Sequence, residues 1–138
     1  MRNKVAIVIL LWWGGVACGQ ISPQPASEKV TVQQQEPLTI APAQAYKNWK
    51  AHPDQYVVLD VRTPSEYQSG HVKGARNVDY YADFEKAIQN LPKDKVYYLH
   101  CASGRRSAAA TEILRKHGFK AYNMGGFGAV VQAGFPTE

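Results

Sequence analysis

Cysteine is scarce in this 138-residue chain, and what is missing around it narrows the chemistry. Its two cysteines, Cys18 and Cys101, sit in stretches of unlike character, and the four histidines, His52, His71, His100 and His117, show no ligand spacing, so no metal is implied. A glycine-rich dinucleotide fingerprint is also missing: Gly125-Gly126-Phe127-Gly128 lacks the spacing and reads as a turn into a helix, so no cofactor is implied. There is no internal repeat. Basic residues outnumber acidic ones by 16 to 11, but apart from Arg105-Arg106 and Arg115-Lys116 they are spread along the chain, which leaves no footprint for nucleic acid.

Long apolar runs are confined to the N-terminus. Val5 to Trp13 follows Arg2 and Lys4 and precedes the small residues Gly14 to Cys18, the pattern of a secretory signal within residues 1–20. The run is too short to cross a bilayer comfortably; a retained anchor or a buried strand is the other reading. Cys18, directly after Ala17, resembles a bacterial lipoprotein processing site, although Gly15 stands where such sites carry Leu, Val or Ile. Ordinary cleavage after Ala17 or Gly19 is the alternative. Either route exports the protein, to the periplasm or to a membrane through a lipidated Cys18. Loss of residues 1–17 takes the net charge from +5 (16 basic, 11 acidic) to +3 (14 against 11). Residues 21–37, rich in Pro, Gln and Ser, read as a flexible tether, and residues 38–138 as one domain.

In that domain strand-like and helix-like runs alternate. Strands are expected at Leu38–Ile40, Tyr56–Val61, Asn77–Val78, Val96–His100 and Ala121–Asn123, and helices at Pro42–Ala51, Pro64–Ser69, Tyr81–Leu91, Arg105–His117 and Phe127–Ala133. The fold class this predicts is α/β, a parallel sheet with helices on both faces, whose ligands bind beyond the carboxyl ends of the strands. Cys101 lies at one of those ends. Arg115-Lys116-His117 with Gly118 behind it reads as a helix C-terminus and its cap.

What is present in concentrated form is the stretch His100-Cys101-Ala102-Ser103-Gly104-Arg105-Arg106-Ser107, between an apolar strand and an alanine-rich helix. A short loop there turns backbone N–H groups inward, and the positive end of the helix dipole points at the same spot. Cysteines in such places ionise at about 3.5 to 7.5, against about 8.5 for a free thiol. Gly104 supplies the positive φ such a cradle needs, and Arg105 and Arg106 are charge-assisted donors for an anionic substrate. The alternative is an inert buried cysteine, but a glycine and two arginines within five residues are not core-packing residues.

The surrounding blocks resemble a known family. Val57-Val58-Leu59-Asp60-Val61-Arg62, Glu66-Tyr67 and Gly70-His71-Val72-Lys73-Gly74-Ala75-Arg76-Asn77 are similar to the first signature of rhodanese-like domains, and Cys101 to Ser107 to their active-site loop. Asn123-Met124-Gly125-Gly126-Phe127 with Gly134-Phe135-Pro136 is similar to the C-terminal signature. The resemblance spans roughly residues 38–137; Val130 departs from it, standing where many members carry tryptophan.

The resemblance implies a rhodanese-like sheet and a sulfurtransferase of the thiosulfate:cyanide type. Cys101 would be the catalytic nucleophile, taking sulfane sulfur from a small anionic donor such as thiosulfate as a persulfide and passing it to a thiol, cyanide or a protein acceptor. Ala102, Ser103, Gly104, Arg105, Arg106 and Ser107 would bind the substrate, with backbone N–H groups of residues 102–106 on the sulfur. Arg106 would close the loop and Arg105 sit nearer the entrance. A cysteine phosphatase is the runner-up, weakened because that chemistry wants five residues between cysteine and arginine, whereas Arg106 is itself the fifth residue after Cys101. A non-catalytic binding or sulfur-relay module is the third reading.

Other polar residues read as structural. Asp60 is expected to cap a turn or pair with a cation, and Arg62, Glu66 and His71 to form one polar network after their strand. His100 neighbours Cys101 in the strand, so the two side chains point to opposite faces and His100 is not expected to be its base.

Overall fold

The computed structural model describes residues 36–138. The expected leader, Cys18 and nearly all of the expected tether at residues 21–37 lie outside the described residues.

The run Val96-Tyr97-Tyr98-Leu99-His100-Cys101 has almost no polar face, as a strand covered on both sides requires, and it forms one of the two inner strands of the sheet. Numbered along the chain, β1 (Tyr56–Asp60), β2 (Arg76–Asn77), β3 (Val96–Cys101) and β4 (Lys120–Gly126) are all parallel, in the order β2-β1-β3-β4. The period of two sorts the side chains into two cores. Tyr97, Leu99 and Cys101 pack with Leu59, Val61 and Ala121 against Ala110 and Leu114 of α4 (Arg105–Lys116) and Phe84 and Ile88 of α3 (Phe84–Ile88). Val58, Tyr98 and Met124 pack instead against Ala45 of α1 (Pro42–Ala51) and Val130 of α5 (Phe127–Gln132). The helices therefore cover both faces of a parallel sheet, and each fully buried aliphatic side chain such as Leu99 contributes about 1.5–3 kcal/mol. Val130, fully buried, fills the second core.

Local chemistry sets the helix starts. α1 begins with Pro42, and α2 (Pro64–Gln68) begins with a proline behind a capping box, Thr63 Oγ1 accepting from Glu66 N–H while Glu66 Oε2 accepts from Thr63 N–H. α4 ends as its basic residues and Gly118 suggest, with His117 as cap and Gly118 at φ +84°.

Three expectations change. The helix expected at Tyr81–Leu91 shrinks to Phe84–Ile88, because Asp79 Oδ1 accepts from Tyr81 N–H in a turn and Asp83 caps the helix later, accepting from Lys86 N–H. β4 runs beyond Asn123 to Gly126, through a register shift that pairs Leu99 with Asn123 but His100 with Gly125. The stretch Leu38–Ile40 makes a single bridge, Thr39 with Asn123, rather than a strand.

Candidate active site

Cys101 ends β3 and faces α4, and the loop Ala102–Gly104 carries the chain into that twelve-residue helix. The turn is made by Gly104 at φ +93°; a Cβ there would lie 3.1 Å from the Gly125 Cα, so both conformation and space demand glycine. Gly126 pairs with Cys101 across the sheet, and a Cβ on it would meet Ala102 O at 2.7 Å. The two glycines at the end of β4 thus let the loop settle against the strand. The sequence placed them in a turn and in the C-terminal signature, without this close approach.

The cradle forms around the sulfur. Gly104 N–H donates to Cys101 Sγ at 3.0 Å, and Ser107 Oγ lies 3.5 Å from it. Burial of Cys101 pushes its thiol up, but Ser107 and the backbone N–H groups of Ser103 and Gly104 outweigh that and bring it below its ordinary value. Of the expected backbone donors at residues 102–106, Ser103 and Gly104 act on the sulfur, joined by the backbone of Ser107.

Arg105 and Arg106 diverge. Arg105 is exposed. Arg106 spends both terminal guanidinium nitrogens on Glu66, Nη1 to Oε2 at 2.8 Å and Nη2 to Oε1 at 2.9 Å, which ties the first turn of α4 to α2. Arg106 also lies over the ring of Tyr81, 5.5 Å from its centroid. The Arg106 hydrogen bonds, helped by Thr63, hold the Glu66 carboxyl at about 2 and push the guanidinium further up. Arg106, expected among the substrate-binding groups, is therefore already paired.

The same pair corrects the expected polar network. Arg62 grips Asp60 through Nε at 2.9 Å and Nη2 at 2.6 Å, donates to Gly70 O at 2.8 Å and lies over Phe127. His71 bonds Tyr67 O through Nδ1 at 2.9 Å and stacks on the Tyr67 ring. Glu66 belongs to neither set, because as third residue of α2 it is shared between the helix cap and Arg106. His100 lies fully buried on the face away from Cys101, stacked on Phe127, and burial holds it below its usual range.

Ser107 is fully buried, and its hydroxyl reaches Asn123 Oδ1 at 2.7 Å. Asn123, which the sequence placed in the C-terminal signature but not among the site residues, also bonds Gly104 O and Gly125 N–H, so one amide links loop, helix and strand. The available signal was an asparagine set inside the apolar run of β4. Among the described residues no group of three or more His, Cys, Asp and Glu side chains is placed to hold a metal ion. What the arrangement offers is an ionisable sulfur held by backbone N–H groups, with the exposed Arg105 directly after the loop.

The rhodanese-like domain family matches residues 42–133. The chain is 36% identical over 93 residues to thiosulfate sulfurtransferase 16, chloroplastic, of Arabidopsis thaliana, covering 58% of this chain and 78% of that protein. It is 39% identical over 72 residues to the uncharacterized protein YqhL of Bacillus subtilis, covering 51% of this chain, and 32% identical over 77 residues to the putative sulfur carrier protein YrkF of the same organism, covering 56%. The chain spans about half the length of these two, 56% of YqhL and 41% of YrkF. The crystal structure of a rhodanese-related protein from Thermoplasma volcanium superposes with a TM-score of 0.64 at 34% identity, covering 72% of this chain and 96% of that one.

Proposed function

The chain belongs to the rhodanese-like domain family, and from that premise we propose that it is a sulfurtransferase working through a persulfide on Cys101. The Cys101 thiolate attacks the outer sulfur of an anionic donor such as thiosulfate. The Sγ–S bond forms, the donor's S–S bond breaks, and sulfite leaves with the electron pair. A thiol or cyanide then attacks the outer sulfur, and the pair of the breaking bond returns to Sγ. Arg105, at the rim, steers the donor's anionic end, while Arg106, held by Glu66, keeps the loop closed.

The observation that carries this reading is the Gly104 N–H aimed at Sγ from 3.0 Å, in a loop that leads into a twelve-residue helix. Such a donor serves an anionic sulfur and gives little to an inert thiol. The Glu66 pair counts against the phosphatase alternative, since a phosphate would need the guanidinium that Glu66 holds. The name of YrkF supports a protein among the acceptors. Export through the leader at residues 1–20, with attachment at Cys18 or cleavage beside it, belongs to the same proposal.

Intact mass of the mature protein before and after thiosulfate, with cyanide added last, tests both parts. The expected result is a gain of one sulfur atom that cyanide removes and that Cys101→Ser lacks, on a chain whose N-terminal mass places the processing site. No gain with any small sulfane donor overturns the catalytic reading.

A further inference from the structure

The hydroxyl of Ser107 has one proton and several acceptors within reach: Asn123 Oδ1 at 2.7 Å, Gly104 O at 3.1 Å, and Cys101 Sγ and Gly125 O, each at 3.5 Å. The Asn123 amide decides among them. Its oxygen lies 2.9 Å from Gly125 N–H, which can only donate, and its nitrogen lies 3.3 Å from Gly104 O, which can only accept. Turning the amide over would set donor against donor and acceptor against acceptor, so its orientation is fixed by two backbone groups that cannot change roles. Ser107 must therefore donate to Oδ1. Neither side chain has water to fall back on, since Ser107 is fully buried and Asn123 only 7% exposed. With its proton committed, Ser107 turns lone pairs toward the sulfur.

We propose that Asn123 is a positioning residue that withholds the Ser107 hydroxyl proton from Cys101 Sγ and leaves the thiolate to the backbone N–H groups alone. The inference rests on the reading of Cys101 as the nucleophile of sulfur transfer, and it assigns Asn123 the balance between loading and discharge. A thiolate with fewer donors is the better nucleophile but the poorer leaving group. Loading, in which Sγ attacks, gains from the arrangement. Discharge, in which the Sγ–S bond breaks and its electron pair stays on Sγ, is slowed. The charged groups near the loop are Arg105 and Arg106 from α4, the latter with its partner Glu66 from α2, and, across the sheet, Asp60 at the end of β1 and Arg62 just after it with the titratable His100 of β3. None of them bonds to Asn123.

The test is the pH profile of Cys101 alkylation by iodoacetamide in the full chain, for the parent, Ser107→Ala, Asn123→Ala and the double variant. Freed from Asn123, the hydroxyl would turn to the charged sulfur, so Asn123→Ala should lower the Cys101 pKa by about one unit. Ser107→Ala should leave it within about 0.3 unit, and the double variant should show no drop. Discharge of the Asn123→Ala persulfide to cyanide should quicken about threefold. A pKa that rises or stays put in Asn123→Ala means that Asn123 only props the loop, and overturns the proposal. A rise of about one unit in Ser107→Ala means that the hydroxyl already serves Sγ, and overturns it even if the Asn123 variant fails to fold. Alkylation needs no sulfur donor, so these outcomes are read separately from any failure to form the persulfide.

Discussion

Replacing Glu66 by Gln removes the charge that locks the active-site loop, and its cost should depend on pH in a direction the structure dictates. Both terminal nitrogens of Arg106 and Thr63 converge on the Glu66 carboxylate, which brings it from 4.5 to about 2. Taken at face value such a shift corresponds to about 3 kcal/mol, but the Glu66 side chain is 35% exposed and solvent screens it, so about 1–2 kcal/mol is the working figure. Because the folded carboxyl is depressed, this stability is fully present above 4.5, where the unfolded chain is also ionised, and drains away as pH falls toward 2. Denaturant unfolding of parent and Glu66→Gln should therefore differ by about 1–2 kcal/mol at pH 7 and by less than half of that near pH 3. Freed of its partner, Arg106 should also draw the Cys101 thiol down, so the variant becomes less stable and more readily alkylated at once. A gap that stays constant from pH 7 to pH 3, or none at pH 7, would refute the pairing argument.

Further expectations follow from packing and charge. Cys101→Ser should abolish sulfur loading by mass while shifting the unfolding free energy by no more than about 1 kcal/mol, since the Gly104 N–H that meets the sulfur can donate to a hydroxyl oxygen instead. Gly126→Ala should cost about 1–3 kcal/mol in the same unfolding assay, because its Cβ would meet Ala102 O at 2.7 Å and something must shift. Alkylation should then show a raised Cys101 pKa as the cradle opens. Ile88→Ala, in the first core but on α3 rather than on the strand that carries Cys101, should cost about 2–5 kcal/mol in unfolding yet leave the thiol titration unchanged. Arg105→Ala should raise KM for thiosulfate with kcat nearly unchanged, a split that separates steering of the donor from closing of the loop.

The parts of this molecule that could be read from the sequence are those whose signals are local. β3 is apolar on both faces because both faces are covered, Pro42 starts α1 where its missing N–H costs nothing, and Gly104 announces a positive φ a few residues after the nucleophile. The parallel sheet followed from alternation alone. Partners set by register could not be read this way. Arg106 and Glu66 are 40 residues apart, and nothing short of the packing of α2 beside the loop tells that Glu66 faces Arg106 rather than Arg62. Asn123 meets Ser107 because its pairing with Leu99 puts it on the face that α4 covers; the register shift beyond it carries Gly125 and Gly126 to His100 and Cys101, and glycine, which usually breaks a strand, concealed that β4 continues. The nucleophile and its backbone donors are contiguous, so a single short motif exposes them. The residues that hold their geometry, Glu66 from α2 and Asn123 from β4, come from elsewhere in the chain because a loop cannot brace itself: a rigid anion cradle needs supports anchored in the sheet and in a neighbouring helix.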